Sequence, residues 1–284
     1  MDKRLDNTLN NTLDETFLRS LVDFESVEER VRKRISLLSN GPDLLRFFVH
    51  YASWNGYFAN GVSALTSLVG NSRELFREAG FARAVADRSN YIASFFFDAA
   101  RDEYDDHINP LRDSHRCMAQ ASLLSMQRFF GLGDELLNEE EPAELSAVND
   151  AVLAGYTGRA CADSGKVAQA FAAIGYHLGS ELLADREFSL IDEYLRQHHS
   201  ELVQHLMRSS VVLAGGPHRC YAWVGVHSGH GSGVEADHFE HALQGARCAL
   251  DYLASGSATQ ATDALVAGFR AFDRDHLSFF TIRG

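Results

Sequence analysis

Apolar residues recur at i, i+3 and i+4 over long stretches of this chain, the spacing that places them on one face of an α-helix. The four prolines, at positions 42, 110, 142 and 217, each fall where this pattern breaks, as expected for a residue that ends helices. The pattern therefore predicts an all-α fold. The predicted helices span about residues 22–38, 43–69, 72–80, 83–106, 113–131, 144–158, 162–198, 200–214, 219–228, 234–254 and 259–272.

Breaks between the predicted helices are short, and none has the length of a flexible linker. Asn40-Gly41-Pro42-Asp43 is a stop followed by a restart, with Asp43 as an expected helix cap, and residues 132–142 form an acidic connection. Ala214-Gly215-Gly216-Pro217 breaks the pattern again, ahead of a histidine-rich segment. We expect one helical domain over residues 21–284, preceded by a polar lead-in at residues 1–20.

Composition narrows the classes of function. The formal charge is 26 − 39 = −13, so nucleic acid and anionic membranes are poor partners for the chain. No apolar run is long enough to span a membrane, and the first residues lack the apolar core of a signal peptide. The four cysteines are scattered without a C-x-x-C pair, which is typical of free thiols in a reducing compartment. A cytoplasmic location is therefore expected.

Residues 227–241, HSGHGSGVEADHFEH, concentrate the metal-binding side chains of the chain. Imidazole and carboxylate together are typical of iron and manganese sites, whereas structural zinc sites use more thiolates. Glu235 and His238 form an i, i+3 pair that a helix presents on one face, as in di-iron carboxylate bundles. The alternative is a solvated, His-rich helix start without a metal.

The ligand register within this segment is open. If one helix continues through the glycines, His227 shares a face with Glu235 and His238. The competing face carries His230, Asp237 and His241, which could bind metal or accept the N–H groups of the metal-bound imidazoles. We favour Glu235 and His238 as ligands.

Two further helices carry carboxylates on apolar faces. Glu103 continues the face of Ile92, Phe96 and Ala99, and His115 follows after Pro110 at the start of the next helix, where Asp113 or Ser114 is the expected cap. Glu181 lies in the middle of a long apolar helix, with His177 one turn before it as a ligand or a hydrogen-bond donor. Because an unpaired buried carboxylate is costly, each glutamate is expected to be neutralised, paired or bound to metal.

The run FFFDAARDEY…DSHRCMAQASLLSMQRFFGL resembles the second and third helices of the haem-oxygenase-like di-metal oxidases. The resemblance covers about residues 43–250 and extends to the amino-acid desaturases and azetidine-forming oxidases of nucleoside-antibiotic pathways such as that of polyoxin. It implies that Glu103, His115 and Glu181 bind metal. The last helix of that family carries His-x3-Asp-x2-His, and this chain departs from it with Gly231 in the first position and Glu235 in the second. His227 or His230 would then supply the other imidazole.

The resemblance implies a single-domain, haem-oxygenase-like helical bundle that acts as an O2-dependent non-haem di-iron oxidase. Two Fe(II) per chain, O2 and an external electron donor, either an iron-reducing protein or a small reductant, are the expected cofactors and partners. The expected substrate is a small aliphatic amino acid that undergoes C–H oxidation, desaturation or cyclisation in antibiotic biosynthesis. Its carboxylate should meet an arginine, with Arg101, Arg186 and Arg208 as candidates. The sequence leaves homodimer formation open.

Other relatives on the same scaffold fit the sequence less well. A haem oxygenase needs one histidine and no inward glutamates, and a thiaminase-like hydrolase needs an activated cysteine, which none of the four provides. Two alternatives stay open. One is an N-oxygenase or fatty-acid oxidase of the same fold. The other is a non-catalytic helical protein, either metal-binding or an interaction module, whose carboxylates pair with arginines.

Overall fold

The computed structural model describes residues 13–77, 88–105, 113–228, 234–254 and 258–282, and at 185 and 234–237 it describes the backbone alone. The chain is mainly helical, which confirms the predicted all-α class. Within these residues no helix is both long enough and apolar enough to cross a membrane. The helices are α1 Glu15–Arg19, α2 Phe24–Ile35, α3 Gly41–Gly70, α4 Ser89–Tyr104, α5 His115–Phe130, α6 Ala143–Tyr156, α7 Lys166–His198, α8 Ser200–Arg208, α9 Ala222–His227, α10 Val234–Asp251 and α11 Ala258–Thr281.

The longest helix, α7, is the centre around which the others pack. It lies along α11 over much of its length and also contacts α10, α2 and α9, while α3 packs against α4, α5 and α6. Glycines allow the α7–α11 crossing: a Cβ at Gly175 would lie 1.9 Å from the Leu265 carbonyl oxygen, and one at Gly268 would lie 1.9 Å from that of Ala172. The backbones of α7 and α11 are therefore in direct contact.

Capping residues set where two of the helices begin. The Ser114 hydroxyl accepts a hydrogen bond from the Cys117 amide at 3.2 Å, so α5 starts at His115 and Ser114 is the cap. At the start of α3 the cap is Asn40, which accepts from the Asp43 amide at 2.9 Å, so the prediction that Asp43 caps this helix is wrong.

Several predicted helix bounds are also wrong. Residues 72–77 form turns and a bridge instead of a helix, and a 3₁₀ helix at Arg159–Ser164 precedes α7. The last helix, predicted to end at residue 272, continues to Thr281. Part of the predicted polar lead-in is packed into the core, since Leu13 and Leu18 are buried and Asp14 caps α1.

A small β-hairpin replaces the second half of the helix predicted at 200–214. Strands β1 (Ser210–Leu213) and β2 (Gly216–Arg219) are antiparallel and joined by Ala214 and Gly215. Both turn residues have positive φ, 45° and 87°, the conformation of a tight two-residue hairpin turn. The Ala-Gly-Gly-Pro break is therefore the turn of a hairpin, and helix α9 starts only at Ala222.

Candidate metal centre

A small cavity of about 40 Å³ lies between the helices, and five of the predicted ligand residues line it. Each comes from a different helix: Glu103 from α4, His115 from α5, Glu181 from α7, His227 from α9 and His238 from α10. Residues up to 135 positions apart in the chain, Glu103 and His238, thus meet at one site. The sequence pattern had marked all five for the same role.

Glu103 and His115 meet because of how their helices end and begin. Glu103 lies in the last turn of α4, and His115 is the first residue of α5 after the Ser114 cap. The Nδ1 atom of His115 lies 3.1 Å from Oε2 of Glu103. The end of α4 thus brings a carboxylate to a mostly buried imidazole.

Glu181 lies between two imidazoles. Its Oε1 is 3.3 Å from Nδ1 of His177, one turn earlier on α7, and its Oε2 is 3.8 Å from Nδ1 of His238 on α10. His177 is completely buried, and burial lowers its pKa to about 3, so its ring is neutral. Among the described residues neither ring nitrogen of His177 has a partner in hydrogen-bonding geometry.

His238 is oriented by a residue that the sequence pattern had not marked, Asp102. The Nε2 atom of His238 lies 2.9 Å from Oδ2 of Asp102, so the N–H donates to this carboxylate and Nδ1 is left facing Glu181. Burial opposes ionisation of Asp102, but its hydrogen bonds with His238 and Arg101 bring its pKa below the ordinary value. A carboxylate that holds one nitrogen of an imidazole while the other faces a metal recurs at protein metal sites.

His227 is held in one tautomer by the backbone. Its Nδ1 lies 2.6 Å from the Trp223 carbonyl oxygen, which can only accept, so Nδ1 carries the proton. Burial, and then the neighbouring His115, hold the pKa of His227 well below its usual value. The ring stacks on Phe188 at 4.4 Å and meets the His115 ring edge-on at 4.4 Å. His227 is therefore neutral, with Nε2 as its unprotonated nitrogen.

The charge balance of the cavity suits a cation. Among the described residues that line it there is no lysine or arginine, whereas the side chains of Glu103 and Glu181 both reach it. Carboxylates with neutral imidazoles form the donor set that iron and manganese prefer. His177, whose ring nitrogens have no partner in hydrogen-bonding geometry among the described residues, contacts Glu181 of this set. The lining therefore suits a metal ion by residue type, but no three His, Cys, Asp or Glu side chains of the described part lie close enough together to hold one. Carboxylates and imidazoles are paired with each other instead.

A buried polar cluster forms another part of the wall. Glu187 accepts a hydrogen bond from the Tyr51 hydroxyl at 2.7 Å, and its other oxygen lies 2.8 Å from Nε2 of His276. Burial raises the pKa of Glu187 to about 8 and lowers that of His276 well below its usual value. At neutral pH this is a protonated carboxyl beside a neutral imidazole. The position of Glu187, six residues after Glu181 on α7, gave no reason to mark it from the sequence alone.

The other predicted ligands do not reach the cavity or are not described. His241 lies beside Asp98, 3.5 Å away, with 44% of its side chain exposed. His230 and the side chains of Glu235 and Asp237 lie outside the described residues. A single helix from His227 to His238, the condition for these residues to share one helical face, does not form, because α9 ends at His227 and Ser228 has extended backbone angles. His227 and His238 therefore reach the cavity from two separate helices.

Comparisons of the chain with protein-family models, curated proteins and solved structures gave no match.

Proposed function

We propose that this chain is an O2-dependent non-haem di-iron oxidase with a haem-oxygenase-like helical bundle. The observation that carries the proposal is the single cavity lined by Glu103, His115, Glu181, His227 and His238 from five helices. The proposed substrate is a small aliphatic amino acid that undergoes C–H oxidation, desaturation or cyclisation. An external reductant, either a small molecule or an iron-reducing protein, would supply electrons.

These five side chains would hold the metal. Two bound Fe(II) ions would supply the electrons and open coordination positions needed to activate O2. The protein's part is to orient the imidazoles. The Asp102 carboxylate accepts the N–H of His238, and the Trp223 carbonyl accepts the N–H of His227.

Apolar side chains separate the cavity from bulk water. Phe58, Val62, Phe188 and Phe272 line it, and Phe188 lies flat against the His227 ring. Excluding water strengthens the electrostatic interactions at the site and protects a reactive oxidant from side reactions. Glu187, protonated at neutral pH, holds a proton at the same wall.

Anaerobic iron titration followed by exposure to O2 tests this function. We expect about two Fe(II) per wild-type chain and O2 consumption with a transient visible absorption band. Glu103→Ala, Glu181→Ala and His238→Ala should each abolish O2 uptake while the chain stays folded. Glu240→Ala is the matched control, because Glu240 lies on α10 two residues from His238 and is exposed. Wild-type protein that binds no Fe(II), and gains no stability from it, would contradict the proposal.

A non-catalytic metal-binding or interaction protein is the second candidate. The observation in its favour is that the chain also buries carboxylate–imidazole pairs that contain none of the five ligand candidates, namely Asp113 with His218 and Glu187 with His276. Such pairs can serve packing alone. Tight Fe(II) binding without any O2 consumption in the presence of a reductant and an amino-acid panel would favour this candidate. An N-oxygenase or fatty-acid oxidase would instead consume O2 only with amines or fatty acids.

A further inference from the structure

A second cavity, of about 430 Å³, adjoins the metal cavity. Asn55, Glu103, His115 and His227 line both, so the two spaces share a wall that carries three of the ligand candidates. The volume lies in the range of small-molecule sites. We call this second cavity the vestibule; its other lining residues are Ala52, Ser53, Gly56, Tyr57, Ala59, Asn60, Tyr104, Ser114, Arg116, Ala119 and Trp223.

Charge in the vestibule is concentrated on one side chain. Apart from Glu103 and the two histidines of the shared wall, the described lining residues are neutral except Arg116. Its Nη1 donates to the Ala52 carbonyl oxygen at 2.7 Å, and no carboxylate of the described residues pairs with it. A guanidinium has five N–H donors, so most of them remain for a ligand.

The backbone of α3 makes room for this guanidinium. A Cβ at Gly56 would lie 2.9 Å from Nη1 of Arg116, so the glycine lets the side chain lie close against the helix. Arg116 is exposed, whereas His115 and His227 are buried. The cationic group therefore lies at the outer part of the vestibule, and the ligand candidates lie at its inner end.

The three arginines expected to meet the substrate carboxylate lie elsewhere. Arg101 contacts Asp98 and Asp102, and Arg186 makes two hydrogen bonds to Glu28. Arg208 is the last residue of α8 and is exposed. None of them lines the vestibule or the metal cavity.

We propose that Arg116 binds the carboxylate of an aliphatic substrate and directs its carbon chain toward the shared wall of Glu103, His115 and His227. A carboxylate matches the guanidinium fork, because its two oxygens accept two parallel N–H hydrogen bonds from it. The Ala119 methyl group and the Trp223 ring offer the chain an apolar path inward. This inference rests on the proposed function, since it places a substrate beside the proposed iron site.

Anaerobic isothermal titration calorimetry tests the assignment on the Fe(II)-loaded full chain. The probes are L-valine, L-leucine and L-isoleucine, the corresponding amides, and the corresponding acids without the amino group. At least one carboxylate of this panel should bind the wild type, and its amide should bind far more weakly. Arg116→Gln should weaken carboxylate binding roughly 10- to 100-fold, and Arg116→Lys should weaken it less. Arg128→Gln, an exposed arginine on the same helix, should leave it unchanged.

Each outcome decides the assignment. Binding of the acids as tight as that of the amino acids would keep Arg116 and assign a plain carboxylate as substrate. No carboxylate binding to the wild type, or equal affinities for wild type and Arg116→Gln, would overturn it. Circular dichroism of each variant checks folding, and Arg116→Lys keeps the charge if Arg116→Gln fails to fold. Iron content, measured on the same samples, distinguishes failure of this inference from failure of the proposed function. A chain that binds iron but binds carboxylates independently of Arg116 would overturn only the inference. A chain that binds carboxylates through Arg116 but holds no iron would overturn only the proposed function.

Discussion

At the scale of single residues, the Asp102–His238 pair should set the metal affinity of the site. Asp102→Asn keeps the size of the side chain but replaces the carboxylate that accepts the His238 N–H with a weaker, neutral acceptor. The other ring nitrogen of His238 then donates its electron pair to a metal less strongly. We expect metal affinity to fall roughly 10- to 100-fold, as for other residues that hold metal-bound histidines. Competition against a chelator under anaerobic conditions measures it.

The control for this change lies one turn earlier on the same helix. Asp98 is half-exposed and lies beside His241, which is outside the cavity. Asp98→Asn should therefore leave metal affinity unchanged. Equal losses in both variants would show that Asp102 acts only through the general negative charge of α4.

Glu187 should make the metal-free protein less stable as pH rises. The pKa of this carboxyl is about 8 in the folded protein against an ordinary 4.5, so the folded state binds its proton more tightly. Its stabilising contribution is full below pH 4.5 and is lost as pH rises through 8. Glu187→Gln removes this dependence, so the variant should gain roughly 2 kcal/mol of unfolding free energy relative to wild type between pH 6 and 8.

Urea unfolding of metal-free wild type and Glu187→Gln at several pH values measures this difference. His276, whose pKa is lowered from 6.5, makes the folded protein less stable only as pH falls below 6.5, so the range above pH 6.5 reports on Glu187. Glu144→Gln, at an exposed position on α6, should track the wild type at every pH. A constant difference between Glu187→Gln and wild type would mean that Glu187 is ionised in the folded protein.

Sequence spacing was enough to mark Glu103, His115 and Glu181, because each interrupts or extends an apolar helical face. It was not enough to mark Asp102, which stands in the run RDEYDD and looks like part of a solvated acidic surface. Its partner, His238, is 136 residues away in the chain. A contact of that kind depends on tertiary packing and leaves no local pattern.

At the scale of secondary-structure elements, the crossing of α7 and α11 should tolerate no added side-chain atom. A Cβ at Gly268 would lie 1.9 Å from the Ala172 carbonyl oxygen, so Gly268→Ala requires the two backbones to separate. We expect a loss of about 3 kcal/mol in unfolding free energy, at the upper end of overpacking costs. Chemical unfolding measures it.

Gly225→Ala is the matched control for this crossing. Gly225 is also helical, but an added Cβ would lie 3.8 Å from the nearest Tyr221 ring atom, an ordinary contact. Because alanine favours helix more than glycine, this variant should be neutral or slightly stabilised. Similar losses in both variants would mean that α7 and α11 do not cross at these glycines.

Helix interiors were predictable, and helix ends were less so. The β1–β2 hairpin is hard to predict because the apolar run at residues 211–213 is too short for its periodicity to separate a strand from a helix, and an Ala-Gly-Gly-Pro break is also typical of a helix end. The three glycines at 229, 231 and 233 indicate that His227 and α10 are separate, because glycine disfavours a continuous helix. Local sequence suggests such a break but does not say where the two helices then point.

At the scale of the whole molecule, α7 supplies Glu181 and Glu187 and is contacted by most of the helices that bring the other residues to the cavity. A site assembled from five helices should be coupled to the stability of the entire fold. The residue types and spacing in the sequence were enough to predict the five ligand candidates. That these residues line one cavity depends on how the helices pack.

Iron-edge anomalous diffraction from crystals soaked anaerobically with Fe(II) tests the central claim most directly. Two anomalous peaks should appear within the cavity of Glu103, His115, Glu181, His227 and His238, and a Glu103→Ala, Glu181→Ala double variant should lose them. Soaked crystals without anomalous density in this cavity, or with iron bound only at surface histidines such as His241, would contradict the account.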